Sequence, residues 1–271
     1  MISIAPMNLP AVKFERPPII EVAFGVTFRA IPNFTSARVG EYWKTVQSDY
    51  PKTVDQPPLA QVTEAFDEVP AIELSFGPLP PMRRAHFIAA DELSLIQVQA
   101  DRFHFNRRRT PPQQYVHFSQ TKPMFETEFG RFQEFIKTSC GAELTPRQFE
   151  LTYVNVIPAE GPLLGLNGLG EVFRNLSWST ADKTVLGTME NVQWQASFRM
   201  PNQQGRLHVH LANGVLNTKD GTEKLGLQLQ ITVRGYSKAM SEWFDLAHGW
   251  IVNAFADLTT DTMHKYWGRV N

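Results

Sequence analysis

Apolar and polar positions alternate with period two from Ile20 to Arg29. Ile20, Val22, Phe24, Val26 and Phe28 fall on one side, and Glu21, Ala23, Gly25, Thr27 and Arg29 on the other, the pattern of a half-buried strand. The prolines before it (Pro6, Pro10, Pro17, Pro18) predict an irregular N-terminal arm. After Pro32 the period changes. Val39, Tyr42, Trp43 and Val46 stand at i, i+3, i+4 and i+7 behind Thr35 and Ser36, which predicts a capped amphipathic helix ended by Pro51. Residues 51–70 are proline-rich and read as loop. Strands are predicted near 71–76, 84–90 and 93–108, with a tight turn at Asp91-Glu92. A closing helix is predicted from about Pro123, striped by Phe125, Phe129, Phe132 and Ile136 and stopped at Gly141.

The same order then recurs. FELTYVNVI from Phe149 is a strand, and PAEGPLLGLNGLG from Pro158 to Gly170 reads as a loop with exposed leucines. EVFRNLSWS predicts a short helix, followed by strands near 190–200, 205–212 and 224–236. Trp243, Leu246, Ala247, Trp250, Ile251, Ala254, Phe255 and Leu258 keep a helical period, and Thr259 or Thr260 can cap a last turn ending at Trp267. Each half thus reads β-α-β(3–4)-α. The prediction is an α+β fold of duplicated units, 1–148 with its irregular arm and 149–271. They form antiparallel sheets with helices packed on one face, either as two units or as one continuous pseudo-symmetric domain. The order is TATA-binding-protein-like or helix-grip-like, an analogy of fold that does not fix function.

The second-half strands carry the candidate chemistry. Gln193, Gln195, Ser197 and Arg199, then Arg206, His208 and His210, then Gln228, Gln230, Thr232 and Arg234 all fall opposite the apolar positions. Period two puts them on one face, rich in amide, imidazole and guanidinium groups and without carboxylates. Such groups hydrogen-bond a peptide, a nucleotide or an anionic partner; the plainer alternative is a solvated sheet face. The candidate binding residues are Gln195, Arg199, His208, His210, Gln228, Gln230 and Arg234. His208 and His210 point one way and could chelate a metal, but a third ligand is needed. His248 and His264 would serve only if the fold brought them near, so neither a metal nor a cofactor is expected. In DRFHFNRRR, Phe103 and Phe105 are predicted inward beside Phe125 and Phe129, with Arg102, His104, Asn106 and Arg108 outward. Binding a single nucleic-acid strand calls for exposed aromatics, so nucleic acid is the less favoured partner.

Composition narrows the classes. With 26 basic and 27 acidic residues the net charge is −1, which gives no global field toward DNA or anionic lipid. The single cysteine, Cys140, excludes an internal disulfide and a cysteine-based zinc site, and the end of a helix is a poor place for a thiolate. G-x-S-x-G, H-E-x-x-H, G-x-x-x-x-G-K and G-x-G-x-x-G are all absent, and Glu21 and Glu73 cannot be paired from sequence, so no catalytic residue is assigned. MISIAPMNLPAVKFERPPII lacks a basic start followed by an apolar run. No stretch approaches the roughly 18 apolar residues that span a bilayer. A soluble cytoplasmic protein without membrane contact is expected.

FERPPIIEVAF, QADRFHFNRR, LTYVNVI and the terminal KYWGR together resemble a sporadically distributed family of uncharacterised prokaryotic proteins. The likeness covers nearly the whole chain. It implies a cytoplasmic protein of patchy inheritance, of the kind found among accessory genes of mobile or defence islands, and supplies no catalytic residues. The expectation is a non-enzymatic protein that engages a protein or peptide partner through the polar sheet face. A small-ligand or hydrolytic pocket between sheet and closing helix, lidded by residues 158–170, is the alternative. An edge strand or the Trp-rich last helix could also pair two copies as a homodimer.

Overall fold

The computed structural model describes residues 9–60, 62–66, 82–109, 115–161, 163, 165–179, 184–217 and 223–270. Its elements run β1 (Ile19–Phe28), α1 (Ser36–Val46), β2 (Lys52–Gln56), β3 (Arg84–Ile88), β4 (Ser94–Gln99), β5 (Arg102–Arg108) and α2 (Phe118–Cys140). The second half follows with β6 (Pro146–Pro158), α3 (Leu169–Val172), β7 (Gln193–Arg199), β8 (Gly205–Asn217), β9 (Glu223–Gly235), α4 (Met240–Leu258) and α5 (Asp261–Tyr266). The fold is α+β. Among the described residues nine strands form one antiparallel sheet in the order β2-β3-β4-β5-β1-β6-β9-β8-β7. The halves meet at the centre, where β1 and β6 pair with Val22 opposite Tyr153 and Phe24 opposite Leu151, after a register shift between Ile19 and Glu21.

Alternation decides which face is dry. Val22, Phe24, Val26 and Phe28 of β1, Phe103 and Phe105 of β5, and Phe149, Leu151 and Tyr153 of β6 are buried. They face α2 and α4. Phe24 packs on Phe125 at 4.9 Å and on Phe244 at 5.2 Å, while Phe103 meets Phe129 at 5.6 Å. Phe125 and Phe244 touch at 5.0 Å, so the long helices of the two halves share one aromatic core. Stacked and edge-on pairs of this kind add about 0.5–1.5 kcal/mol each beyond burial. Gly141 stops α2 with φ 63°, the left-handed conformation open to glycine. Thr260 caps α5 by accepting from the Met263 N–H at 3.3 Å.

Several boundaries differ from the expectation. Residues 52–56, read as loop, form β2 on the edge beside β3, and the stretch 93–108 is two strands, β4 and β5, folded back at Ala100-Asp101. The strand expected at 71–76 lies outside the described residues. α2 starts at Phe118, not Pro123, because the Gln120 and Thr121 N–H groups already bond the His117 carbonyl at 2.9 and 3.0 Å. Proline there removes one N–H without ending the helix. Of EVFRNLSWS only the first residues are helical, and Leu163, Leu166 and Leu169 are buried, so the described part of the 158–170 segment is packed onto the core instead of exposing its leucines. β8 and β9 run past both neighbours. Among the described residues they pair only with each other from Leu216 opposite Lys224 outward, the Leu225 carbonyl still accepting from the Ala159 N–H at 2.8 Å. Among the described residues no helix is long and apolar enough to cross a membrane.

Candidate functional site on the polar sheet face

The face opposite the helices carries a row of mostly polar residues that crosses the sheet from β3 to the β7 edge. Register partners give it as His86, Gln97, His104, Gly25, Glu150, Arg234, Arg206 and Arg199. Gly25 is the gap in that row. A Cβ there would lie 3.0 Å from His104 Nε2 and 3.3 Å from Glu150 Cβ, so the imidazole leans over bare backbone toward the carboxylate. Arg234 Nε donates to Glu150. Burial pushes the Glu150 carboxyl up, but Arg234, His104 and Arg102 outweigh it and hold it below its ordinary value. Burial drives His104 down to about 4, helped by Arg102, Arg84 and Arg234 and opposed by Glu150. His86 falls to about 4 as well, through burial and then Arg84 and Arg108.

Two networks rest on this floor. In the first half Arg84 Nη1 donates to Gln97 Oε1 (2.8 Å), Gln97 Nε2 to Asn106 Oδ1 (2.7 Å) and Asn106 Nδ2 to Glu21 Oε1 (2.5 Å). Arg108 Nε takes the other Glu21 oxygen at 2.9 Å. Arg102, His104 and Asn106 lie outward as expected but are 6, 7 and 3 % exposed. Asn106 has its partners in that chain and Arg102 has its own in Asp101, while His104 has the Glu150 carboxylate beside it as charge compensation.

The second network binds a strap of the chain itself, formed by residues 59, 60 and 62–66 between β2 and β3. Two glutamine amides grip its backbone. Gln99 accepts from the Leu59 N–H at 3.0 Å and donates to the Leu59 carbonyl at 3.2 Å. Gln148 accepts from the Glu64 N–H at 2.8 Å and donates to the Val62 carbonyl at 2.9 Å. The Glu64 side chain, 4 % exposed, then pairs with Arg206 and meets His208 Nε2 at 2.6 Å. Burial raises its carboxyl, but His208 and Arg206 outweigh that and lower it. Arg206 Nη2 donates to the Ala65 carbonyl at 3.0 Å and stacks over Phe66, and Arg199 donates to the Phe66 carbonyl. His208 Nδ1 is 2.9 Å from Ser197 Oγ. Ser197, His208 and Glu64 thus have the connectivity of a hydrolytic triad. Strand N–H groups lie in the plane of the sheet, so any donor above Ser197 would be a side chain such as Gln195 or His210. Through Glu64 the same contacts hold the strap to β8.

Beside the strap a cavity of about 240 Å³ remains, lined by Gln195, Ser197, His208, His210, Gln230, Thr232 and Arg234. Five of the seven residues expected from sequence therefore converge on it. Arg199 is engaged by the strap. Gln228 is exposed opposite Ala212 and Val156, away from the cavity. The expectation of a face without carboxylates is overturned, because Glu150 enters from β6 and Glu64 from the segment read as plain loop. His248 and His264 sit on the helix side, bonded to Tyr153 Oη at 2.8 Å and to Thr259 Oγ1 at 2.9 Å, remote from His208 and His210. Among the described residues no group of three metal-binding side chains comes together. Glu73 lies outside the described residues. Cys140, last in α2, has its thiol pushed up by burial. Sequence reasoning missed Gln99, Gln148 and Glu150, although their alternation with Val98, Phe149 and Leu151 carried the signal. No family model, no curated protein and no solved structure matches the chain.

Proposed function

We propose that the protein is a non-enzymatic binding protein that holds an extended segment of a protein or peptide partner on its polar sheet face. One observation carries this reading. The face already takes a non-helical peptide segment, its own strap, by main-chain pairs to Gln99 and Gln148 and by a carboxylate at Arg206 and His208. Main-chain bonds supply affinity without regard to sequence, and side-chain pockets supply choice. The adjoining cavity continues that surface. Among the described residues the side chains of Gln195 and His210 have no hydrogen-bond partner, and each retains its donor or acceptor for a guest. The partner favoured is an acidic, extended peptide and not nucleic acid, because Arg102 and Arg108 are paired with Asp101 and Glu21. The resemblance seen in sequence supports a cytoplasmic prokaryotic accessory protein, and the two sheet edges, β2 and β7, are where a second copy would add.

An array of extended decapeptides bearing Glu or Gln at one central position tests it. The protein is expected to retain the Glu set, and Gln195→Ala, His210→Ala and Gln230→Ala together to weaken retention about tenfold, near 1.4 kcal/mol. Glu64→Ala frees Arg206 and His208 and is expected to strengthen it. Retention untouched by the triple replacement in a folded protein sinks the assignment.

A further inference from the structure

The opposite side of the sheet holds a second cavity, of about 440 Å³, between the N-terminal arm, the start of α2, the centre of the sheet and α4. That size suits a small organic molecule. Its walls are rings: Phe14, Tyr115, Phe118, Tyr153 and His248. His248 lies flat on Phe118, with centroids 4.1 Å apart and planes 2° from parallel. Its Nδ1 is 2.8 Å from Tyr153 Oη. The other ring nitrogen has no partner among the described residues, so one hydrogen-bonding position of the imidazole is left for a guest. Burial lowers His248 to about 4 and raises Tyr115 to about 12, so both groups are neutral near pH 7. Among the described residues no carboxylate lines the cavity, and Lys13, exposed at its edge, is the lysine or arginine on its wall. A neutral aromatic slot with a lone cation at its edge prefers a flat ring carrying a negative group. The nearest carboxylate felt by His248, Asp245, is already paired with Lys122 at 2.7 Å.

We propose that this cavity binds a small planar aromatic carboxylate, its ring among Tyr115, Phe118 and His248 and its carboxylate at Lys13. The site is independent of the polar face, since the sheet lies between them.

Calorimetric titration with 2-naphthoate and its neutral isostere 2-naphthamide decides the point. The acid is expected to bind the unmodified protein about tenfold more tightly than the amide, and Lys13→Gln to bring the two level. Val252→Trp fills the cavity from α4 and is expected to abolish both. Should that variant fail to fold, Ser119→Trp at the exposed rim does the same from α2. The proposal is overturned if neither compound binds, if acid and amide bind equally, or if acid binding survives a folded cavity-filling variant.

Discussion

Gly25 and His104 show how one missing side chain organises a charged floor. With no Cβ at Gly25 the imidazole of His104 lies over backbone, 7 % exposed, beside Glu150. Gly25→Ala would put a methyl group 3.0 Å from the ring, and its neighbours are held by the sheet. Overpacking of this kind costs about 1–3 kcal/mol, to be read from urea unfolding. His104 also makes the fold acid-sensitive. Its value in the fold is about 4 against an ordinary 6.5, so the unfolded chain binds a proton that the native state refuses between those values. The stability it contributes is complete above pH 6.5 and is lost as pH falls toward 4. The slope reaches at most about 1.4 kcal/mol per pH unit for each such histidine. His86 acts in the same direction. Unfolding midpoints compared at pH 5 and pH 7 should show the loss, and His104→Gln should reduce it, with His86 and His248 keeping the remainder.

At the scale of elements, the strap depends on side chains standing on the sheet and not on a ladder of its own. Gln148→Leu would leave the Glu64 N–H and the Val62 carbonyl unpaired, at about 1–3 kcal/mol if both stay buried. The expected result is faster protease cleavage and amide exchange within 59–66, with exchange in β1 and β6 unchanged. The strap also marks where sequence reading stops. Alternation along β7, β8 and β9 revealed the Gln/His/Arg face, because period two needs only local order. It could not say what crosses that face. Glu64 sits in a stretch without periodicity, and its partners Arg206 and His208 are 142 and 144 residues away. Likewise the edge strand β2 has all its residues exposed or half-buried, so no apolar rhythm announced it. The start of α2 was obscured by giving Pro123 a first-turn role, when the N–H it lacks belongs to the second turn.

At the scale of the molecule, the aromatic contact between α2 and α4 and the pairing of β1 with β6 join the halves, and the expected outcome is a single unfolding unit. Phe244 is fully buried and touches Phe24, Phe125, Phe149 and Trp243. Phe244→Ala is expected to destabilise the whole chain by about 3–5 kcal/mol. Trp43 reports the first half and the other five tryptophans the second. Their urea transitions, followed separately in a Trp43→Phe variant and by far-UV dichroism, should coincide in the unmodified protein, and separate midpoints would show independent halves. The overall plan was legible from sequence because both halves repeat one order of elements; the seam was not, since nothing local says which strand meets which. The seam itself has an evolutionary consequence. An antiparallel pair carries a twofold axis perpendicular to the sheet, and β1 and β6 stand at equivalent places in their halves. A gene encoding a single half could have closed the same sheet by laying its first strand against that of a sister molecule. Fusion of two such genes would then convert a concentration-dependent assembly into an intramolecular one, leaving each half free to diverge, one toward the strap and the other toward the surface that grips its carboxylate.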